Sequence, residues 1–187
     1  MRKEDSNRGL TGPNSETLKK DSSFGNPDFA ADHASYMRKA IELAIEAGAA
    51  GESPVGCVIV AADGAIIGRG RNRREELKSA AAHAEMAAID RACSVVGDWR
   101  LTGCSMYVTL EPCPMCAGAV IMSRIDNLYY GTTDKQTGSC GSIINLFMEP
   151  YGHKTKITGG ILADECSALL SEFFSRLREG RSDIHCR

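Results

Sequence analysis

The chain has 187 residues, a length that suits one domain with a buried core and is short for two. Hydrophobic residues make up 43% of it and charged residues 25%, and no run reaches the roughly 18 apolar residues that cross a bilayer. The net charge of −2 argues against a general nucleic-acid-binding protein but is compatible with a local basic patch. Because the polar start is unlike a secretory signal, we expect a soluble, cytoplasmic protein without a membrane segment.

Residues 1–28 are rich in Ser, Asn, Gly, Pro and Lys and lack apolar periodicity, so we predict an unstructured N-terminal tail. From about Asp32 to Gly48, apolar residues recur at helical spacing and predict an amphipathic helix. We assign residues 29–180 to a single domain and residues 181–187 to a C-terminal tail.

Two apolar runs, residues 55–60 and 65–68, flank the turn Asp63-Gly64 and predict a β-hairpin. The arginine-rich run 69–78 follows, and its simplest interpretation is a polar loop with solvated charges. Its basic residues, together with those that end the last helix, are also candidates for phosphate contacts: Arg69, Arg71, Arg73, Arg74, Lys78, Arg176, Arg178 and Arg181.

The remaining elements alternate between helix and strand. We predict a helix over residues 83–93, a strand over 105–110, a helix over 114–123, a strand over 125–130, a short helix over 143–147, a short strand near 156–162 and a helix over 166–177. A strand, a helix and a strand in succession form a parallel crossover unit. The order therefore predicts an α/β fold, a three-layer α/β/α sandwich with a mixed five-stranded sheet.

Two cysteines have the spacing of metal ligands. Cys113 and Cys116 are three residues apart at a predicted helix start, so their thiolates share a face and can bind one tetrahedral ion. Pro112 and Pro114 suit a helix start, where free N–H groups favour thiolate. Without an export signal, we expect the other thiols to be reduced and to serve packing, with the last in the tail: Cys57, Cys93, Cys104, Cys140, Cys166 and Cys186.

His83 and Glu85 form the other half of the motif. Residues two apart on a regular helix point to different sides, so both reach one site only if they project from the helix end. In that arrangement His83 is a metal ligand and Glu85 reaches past the metal to whatever is bound there. The spacing alone does not establish this geometry.

Two thiolates and one imidazole leave a tetrahedral zinc one ligand short, as in catalytic sites. We expect water in the fourth position, with its pKa lowered towards about 7, and Glu85 as the proton shuttle of a hydrolytic deamination. One alternative is a structural zinc whose fourth ligand is Cys104, Cys140 or His153; another is a core with buried thiols and no metal. In a structural site Glu85 would have no role.

With the motifs His83-Ala84-Glu85 and Pro112-Cys113-Pro114-Met115-Cys116, the sequence resembles the zinc-dependent nucleoside and nucleobase deaminases. Within them it is most similar to the bacterial tRNA-specific adenosine deaminases, from the first predicted helix to about Glu179. The shared stretches are residues 54–56, 70–73, 109–113, 115–119, 138–142 and 160–166. The last two are the discriminating ones, because the metal motif alone would also fit guanine, cytosine and deoxycytidylate deaminases.

The resemblance implies a cytidine-deaminase-like fold and conversion of the wobble adenosine of a tRNA anticodon to inosine. It also implies a homodimer with one zinc per subunit and an interface that helps to shape the site. Carried over by position, the zinc ligands are His83, Cys113 and Cys116, the proton shuttle is Glu85, and the substrate contacts are Asn72, the backbone N–H of Ala84, and Asp134. Relatives often have Asp-Pro-Thr where this chain has Ser79-Ala80-Ala81, a departure that concerns the substrate loop and not zinc binding.

Two other functions compete with this one. The first is deamination of a small molecule, guanine or cytosine, which assays of free bases against an anticodon stem-loop would separate. The second is a non-catalytic, zinc-stabilised RNA-binding module, in which replacement of Glu85 would change nothing.

Overall fold

The computed structural model describes residues 33–182. The predicted N-terminal tail, residues 1–28, lies outside the described residues, as do residues 183–187 of the predicted C-terminal tail, Cys186 among them. Between residues 33 and 182, no helix combines the length and apolar character that crossing a membrane requires.

Helices and strands alternate along the chain. In order they are α1 (His33–Ala49), β1 (Gly56–Val60), β2 (Ile66–Arg71), α2 (Arg74–Leu77), α3 (Ala84–Val96), β3 (Ser105–Leu110), α4 (Pro114–Met122), β4 (Asn127–Thr132), β5 (Lys156–Gly159) and α5 (Ala163–Ser182). The strands form one sheet in the order β2-β1-β3-β4-β5. Strand β1 is antiparallel to β2 and β3, whereas β3, β4 and β5 are parallel, which confirms the predicted mixed five-stranded sheet.

Both faces of the sheet are covered by helices because the central strands are apolar on both sides. In β1, Val58 and Val60 belong to a core with residues of α1 and α5, whereas Cys57 and Ile59 belong to a core with residues of α3 and α4. All five residues of β1 are buried. This division into two cores gives the three layers of an α/β/α sandwich.

Small residues bring α3 close to the sheet. A side chain at Gly70 of β2 would collide with the carbonyl oxygen of Ala84, and one at Gly68 would meet Ala88. Both alanines are buried on the face of α3 that packs on β2. The first turn of α3 is therefore held tightly against the strand, and the residue that precedes it, His83, is fixed with it.

The prediction of a polar loop over residues 69–78 was wrong at both ends. Strand β2 continues to Arg71, which pairs with Gly56 of β1, and the four residues Arg74–Leu77 form α2. A helix of one turn has no periodicity to detect, and it forms here because Glu52 accepts hydrogen bonds from its N–H groups. The predicted helix over residues 143–147 is instead a 3-10 helix, Leu146–Met148, with Asn145 as its N-cap.

Candidate active site

Two helix starts carry the candidate metal ligands. His83 is the N-cap residue of α3 and Glu85 lies in the first turn of that helix. Cys113 is the N-cap residue of α4, with Pro114 as the first helical residue and Cys116 in the first turn. Both cap residues have extended backbone angles, so the two pairs project from helix ends, as the expectation for His83 and Glu85 requires.

The three ligand atoms lie at distances that suit one zinc ion. His83 Nδ1 is 3.7 Å from Cys113 Sγ and 3.5 Å from Cys116 Sγ. A tetrahedral zinc with ordinary bond lengths separates a nitrogen and a sulfur ligand by about 3.6 Å. The donor set, two sulfurs and one imidazole nitrogen, is also the one that zinc prefers. The residues therefore fit zinc.

The group has three protein ligands within the described part of the chain, all within 4.8 Å of one another. The alternative fourth ligands are not among them: Cys104 is buried in the apolar core, and His153 bonds through Nε2 to the carbonyl oxygen of Ile125. Cys140 packs at the edge of the same core. A structural site closed by any of these three residues is thus not formed between residues 33 and 182.

The surroundings of Cys113 favour its thiolate. A hydrogen bond from Cys116, and further contacts with His83, lower the pKa of the Cys113 thiol to about 4 even against the effect of burial. A metal ligand of this kind must be deprotonated to bind. Cys113 is therefore ready to bind a cation at neutral pH.

Glu85 is a buried carboxyl group beside these ligands. Its side chain is 4% exposed, and burial raises its pKa because the charged form loses its hydration. A raised pKa lets a carboxyl group hold a proton at a higher pH than an exposed carboxyl group does, which suits a group that both accepts and donates protons. Glu85 is thus the candidate acid and base of the site.

An open cavity of about 660 Å³ lies over these residues, a size that suits a nucleoside or nucleotide. The three substrate contacts predicted from the sequence, Asn72, Ala84 and Asp134, all line this cavity. The candidate metal ligands His83 and Cys113 line it as well, together with Glu85. Leu170, Ser171 and Phe174 of α5 complete one side.

The three predicted substrate contacts differ in the hydrogen bonds that they already form within the chain. Ala84 is the first residue of α3, where the backbone N–H has no acceptor within the helix. Asn72 is buried and donates through Nδ2 to Glu52. The Asp134 carboxylate accepts from the Gln136 N–H and the Thr137 hydroxyl of its own loop, so it shapes the loop as well as lining the cavity.

The sequence analysis assigned no role to Glu111, which directly precedes the motif that begins at Pro112. Its carboxylate, 2% exposed, accepts hydrogen bonds from the backbone N–H groups of Asp134, Cys140 and Ser142 and from the Ser142 hydroxyl. Burial alone would raise the pKa of Glu111, but these hydrogen bonds outweigh it and the pKa lies below its ordinary value. Glu111 thereby ties the loop over residues 134–142 to the strand end that leads to Cys113.

The basic residues near the cavity fall into two groups. The guanidinium groups of Arg71 and Arg73 pair with Glu76 at 2.9 Å and 2.6 Å. Arg74 and Lys135 line the cavity, and neither of them forms an ion pair with a described residue. The second group is therefore better placed to meet a phosphate.

The stretch Ser79-Ala80-Ala81 lies just before His83, with Ala82 between them. Backbone hydrogen bonds hold it: the Ser79 N–H donates to Arg74, the Ala82 N–H to Ser79, and the Arg73 N–H to Ala82. The loop is thus fixed at both ends by backbone hydrogen bonds.

Comparison with known proteins finds a matching family and similar proteins. Residues 30–132 match a family model described as the cytidine and deoxycytidylate deaminase zinc-binding region. The chain is 46% identical to the tRNA-specific adenosine deaminase of Bacillus subtilis (strain 168) over 145 residues, which are 77% of this chain and 89% of that protein.

Two solved structures share the fold. One, from studies of A-to-I editing by tRNA:A34 deaminases at the wobble position of transfer RNA, has a TM-score of 0.70 and 41% identity, covering 73% of this chain and 99% of that one. The other, a guanine deaminase from Bacillus subtilis, has a TM-score of 0.54 and 32% identity, covering 79% and 94%.

Proposed function

This chain belongs to the family of zinc-binding cytidine and deoxycytidylate deaminases, and from that premise we propose that it converts adenosine to inosine at the wobble position of a tRNA anticodon. The observation that carries the proposal is the buried carboxyl of Glu85 beside an open three-ligand metal group, at a cavity of nucleotide size. The similarity to tRNA-specific adenosine deaminases supports the choice of substrate.

The proposed reaction is hydrolysis. His83, Cys113 and Cys116 would hold zinc, which would act as a Lewis acid and lower the pKa of water. The oxygen of the water adds to C6 of the adenine, and Glu85 accepts a proton from the water in this step. Glu85 then donates that proton to N1, the ring nitrogen next to C6. Glu85 then transfers the second proton of the water to the exocyclic nitrogen, which leaves as ammonia, and the product is inosine.

The substrate base is held by polar groups that line the cavity. We assign base or ribose contacts to the side chain of Asn72 and to the N–H of Ala84, and a contact near the substrate backbone to Asp134. All three positions lie on the cavity that Glu85 also lines, which supports their roles. Arg74 and Lys135 are the proposed phosphate contacts.

An anticodon loop suits this site because its nucleotides are single-stranded. A loop base enters the cavity without most of the unpairing cost that a duplex base carries. The small net charge of the chain fits a protein that recognises one loop through a few basic residues.

We propose that two copies of the chain form a homodimer through an apolar surface beside the site, here called the α4 surface. It consists of Met115 and Met122 of α4 with Ile143, Ile144 and Met148, which are 38% to 77% exposed. The 3-10 helix that ends at Met148 packs against α4, so exposed apolar residues of these two elements lie near one another. Exposed apolar areas of this kind are typical of protein interfaces. We also propose that the domain comprises residues 29–180 and that the protein acts in the cytoplasm, in keeping with a role in tRNA modification.

The second candidate is a guanine deaminase, favoured by the shared fold and 32% identity with such an enzyme. One assay separates the two: zinc-loaded protein is incubated with an anticodon stem-loop, with free guanine and with free cytosine, and the products are quantified. Inosine from the stem-loop alone is expected. Turnover of a free base without inosine formation would replace the proposal, and zinc and RNA binding without any turnover would indicate a binding module.

A further inference from the structure

Glu52, in the turn between α1 and β1, is a buried carboxylate outside the metal group. It is 1% exposed and accepts three hydrogen bonds. Its Oε1 accepts from the Glu76 N–H at 2.7 Å, and its Oε2 accepts from the Glu75 N–H at 3.1 Å and from Asn72 Nδ2 at 3.4 Å. It therefore connects the start of α2 to the side chain of Asn72, which lines the cavity.

This contact fixes which end of the Asn72 amide faces the cavity. An ionised carboxylate can only accept hydrogen bonds, so the amide must present its nitrogen to Glu52 and turn its oxygen away. No group between residues 33 and 182 donates a hydrogen bond to Asn72 Oδ1. In the same range, every side-chain nitrogen or oxygen atom that is fully buried has a hydrogen-bond partner. Oδ1 is therefore accessible, on a side chain that lines the cavity.

We infer that Glu52 is a positioning residue for substrate recognition: it makes Asn72 an obligate hydrogen-bond acceptor in the cavity. A ligand must then offer a hydroxyl or N–H group at that point, and a ligand without one leaves a polar atom unpaired. Sites built on such a pairing discriminate strongly against analogues that lack the donor. The identity of the substrate rests on the proposed function, whereas the orientation of the amide does not.

Glu52 also positions a second group. The two N–H groups that it holds belong to Glu75 and Glu76, directly after Arg74, which lines the cavity. The buried carboxylate of Glu52 thus helps to position both Asn72, a proposed base or ribose contact, and Arg74, a proposed phosphate contact.

A reciprocal exchange tests the inference. In Glu52→Gln, Oε1 can still accept from the Glu76 N–H, but Nε2 takes the place of the oxygen that accepted from the Glu75 N–H and from Asn72. The Glu75 N–H loses its acceptor, and the Asn72 amide turns over and presents a donor to the cavity. We expect zinc content and the pH profile of kcat to be retained and KM for the stem-loop to rise about tenfold, as for one mismatched polar pair. Adding Asn72→Asp gives a carboxylate that accepts from the new amide at position 52 and again shows oxygen to the cavity, which should restore kcat/KM to within about threefold.

Controls separate this role from a purely structural one. Glu42→Gln makes the same chemical change on an exposed face of α1 and should leave KM unchanged. Asn72→Asp alone places two carboxylates together and should lose activity. The inference is overturned if Glu52→Gln keeps KM within about twofold of the unmodified chain, or if the double variant shows the combined losses of the two single variants.

A second readout does not depend on activity. In a sample with labelled asparagine, we expect the Asn72 side-chain amide protons to be shifted and slowly exchanging through their bond to Glu52, and to lose both properties in Glu52→Gln. An unmodified chain that makes no inosine would refute the proposed function and leave this readout to decide the contact. Amide signals that are the same in both proteins would refute the inference even in an active enzyme.

Discussion

His83 and Glu85 are two residues apart, yet both reach one site because His83 precedes the first turn of α3 and Glu85 lies within it. The histidine is half-buried at the metal group, whereas the carboxyl of Glu85 is buried and has a raised pKa because of that burial. The proposed metal ligand and the proposed proton carrier thus come from one short motif at a helix start.

Replacement of Glu85 separates these two roles. Glu85→Gln keeps the shape of the side chain but cannot carry a proton, so we expect kcat to fall by about 10²- to 10⁴-fold with zinc content unchanged. Rapid-quench assays on the stem-loop and metal analysis measure the two effects. Asp90→Asn, on the exposed side of the same helix, is the matched control and should leave both unchanged. Retained activity in Glu85→Gln would exclude the proposed proton shuttle.

At the scale of elements, the loop over residues 134–142 depends on one carboxylate. Glu111 accepts from three backbone N–H groups in this loop and from the Ser142 hydroxyl, while the preceding residues of β3 fix its position in the sheet. Because the same loop lines the cavity through Asp134, Lys135 and Gln136, its order determines the shape of the site.

The lowered pKa of Glu111 predicts a pH-dependent stability. A carboxyl whose pKa is lower folded than unfolded stabilises the fold above its unfolded value, about 4.5, and this contribution is lost as pH falls through the folded pKa. Glu111→Gln should lower the free energy of unfolding by about 2 kcal/mol near neutral pH, as for lost hydrogen bonds to a charged group. In denaturant unfolding, the difference between the two proteins should shrink below pH of about 4.5. A difference independent of pH would contradict this.

In the short helix α2, Glu76 forms ion pairs with two arginines, Arg71 and Arg73. Hydrogen bonds from Arg73 and Arg71 lower the pKa of Glu76 to about 2. Glu76→Gln should free both guanidinium groups for phosphate while the backbone N–H of residue 76 stays bonded to Glu52. We expect tighter stem-loop binding and a slope of log affinity against log salt steeper by up to about 1.4, or about 0.7 for each added contact to a single strand. Binding titrations at several salt concentrations measure it; Glu42→Gln is the control, and an unchanged slope would show that these arginines do not meet RNA.

The sequence predicted the long elements and the metal motif because each carries a local pattern. Cys113 and Cys116 are recognisable by spacing, and the apolar runs of β1 and β3 mark the sheet. Glu52 and Glu111 carry no such pattern, because the groups that they hold lie 20 to 31 residues further along the chain. The extent of β2 and the one-turn helix α2 were missed for a related reason: they depend on pairing with β1 and on Glu52.

At the scale of the whole molecule, the sandwich gathers two helix starts and two loops at one cavity, and leaves the α4 surface exposed beside it. Met122, which is 70% exposed, lies on the same helix as Cys116. A partner on this surface would therefore contact the helix that carries Cys116.

A charge on the α4 surface tests the dimer. Met122→Asp should convert a dimer to a monomer in sedimentation experiments, because an unpaired charge in an apolar interface costs several kcal/mol. Val95→Asp changes an apolar residue that is 61% exposed, at the far end of α3, and should leave the dimer intact. A Met122→Asp protein that sediments as the unmodified chain does would place the interface elsewhere.

The most direct test of zinc-dependent deamination uses an anticodon stem-loop and zinc-loaded protein in ¹⁸O-labelled water, with mass analysis of the nucleosides. We expect inosine carrying one ¹⁸O atom from the wobble adenosine, none after the metal is removed by a chelator, and recovery when zinc is returned. A zinc-loaded chain that leaves the adenosine unchanged, or an activity that survives complete removal of the metal, would contradict the proposed function.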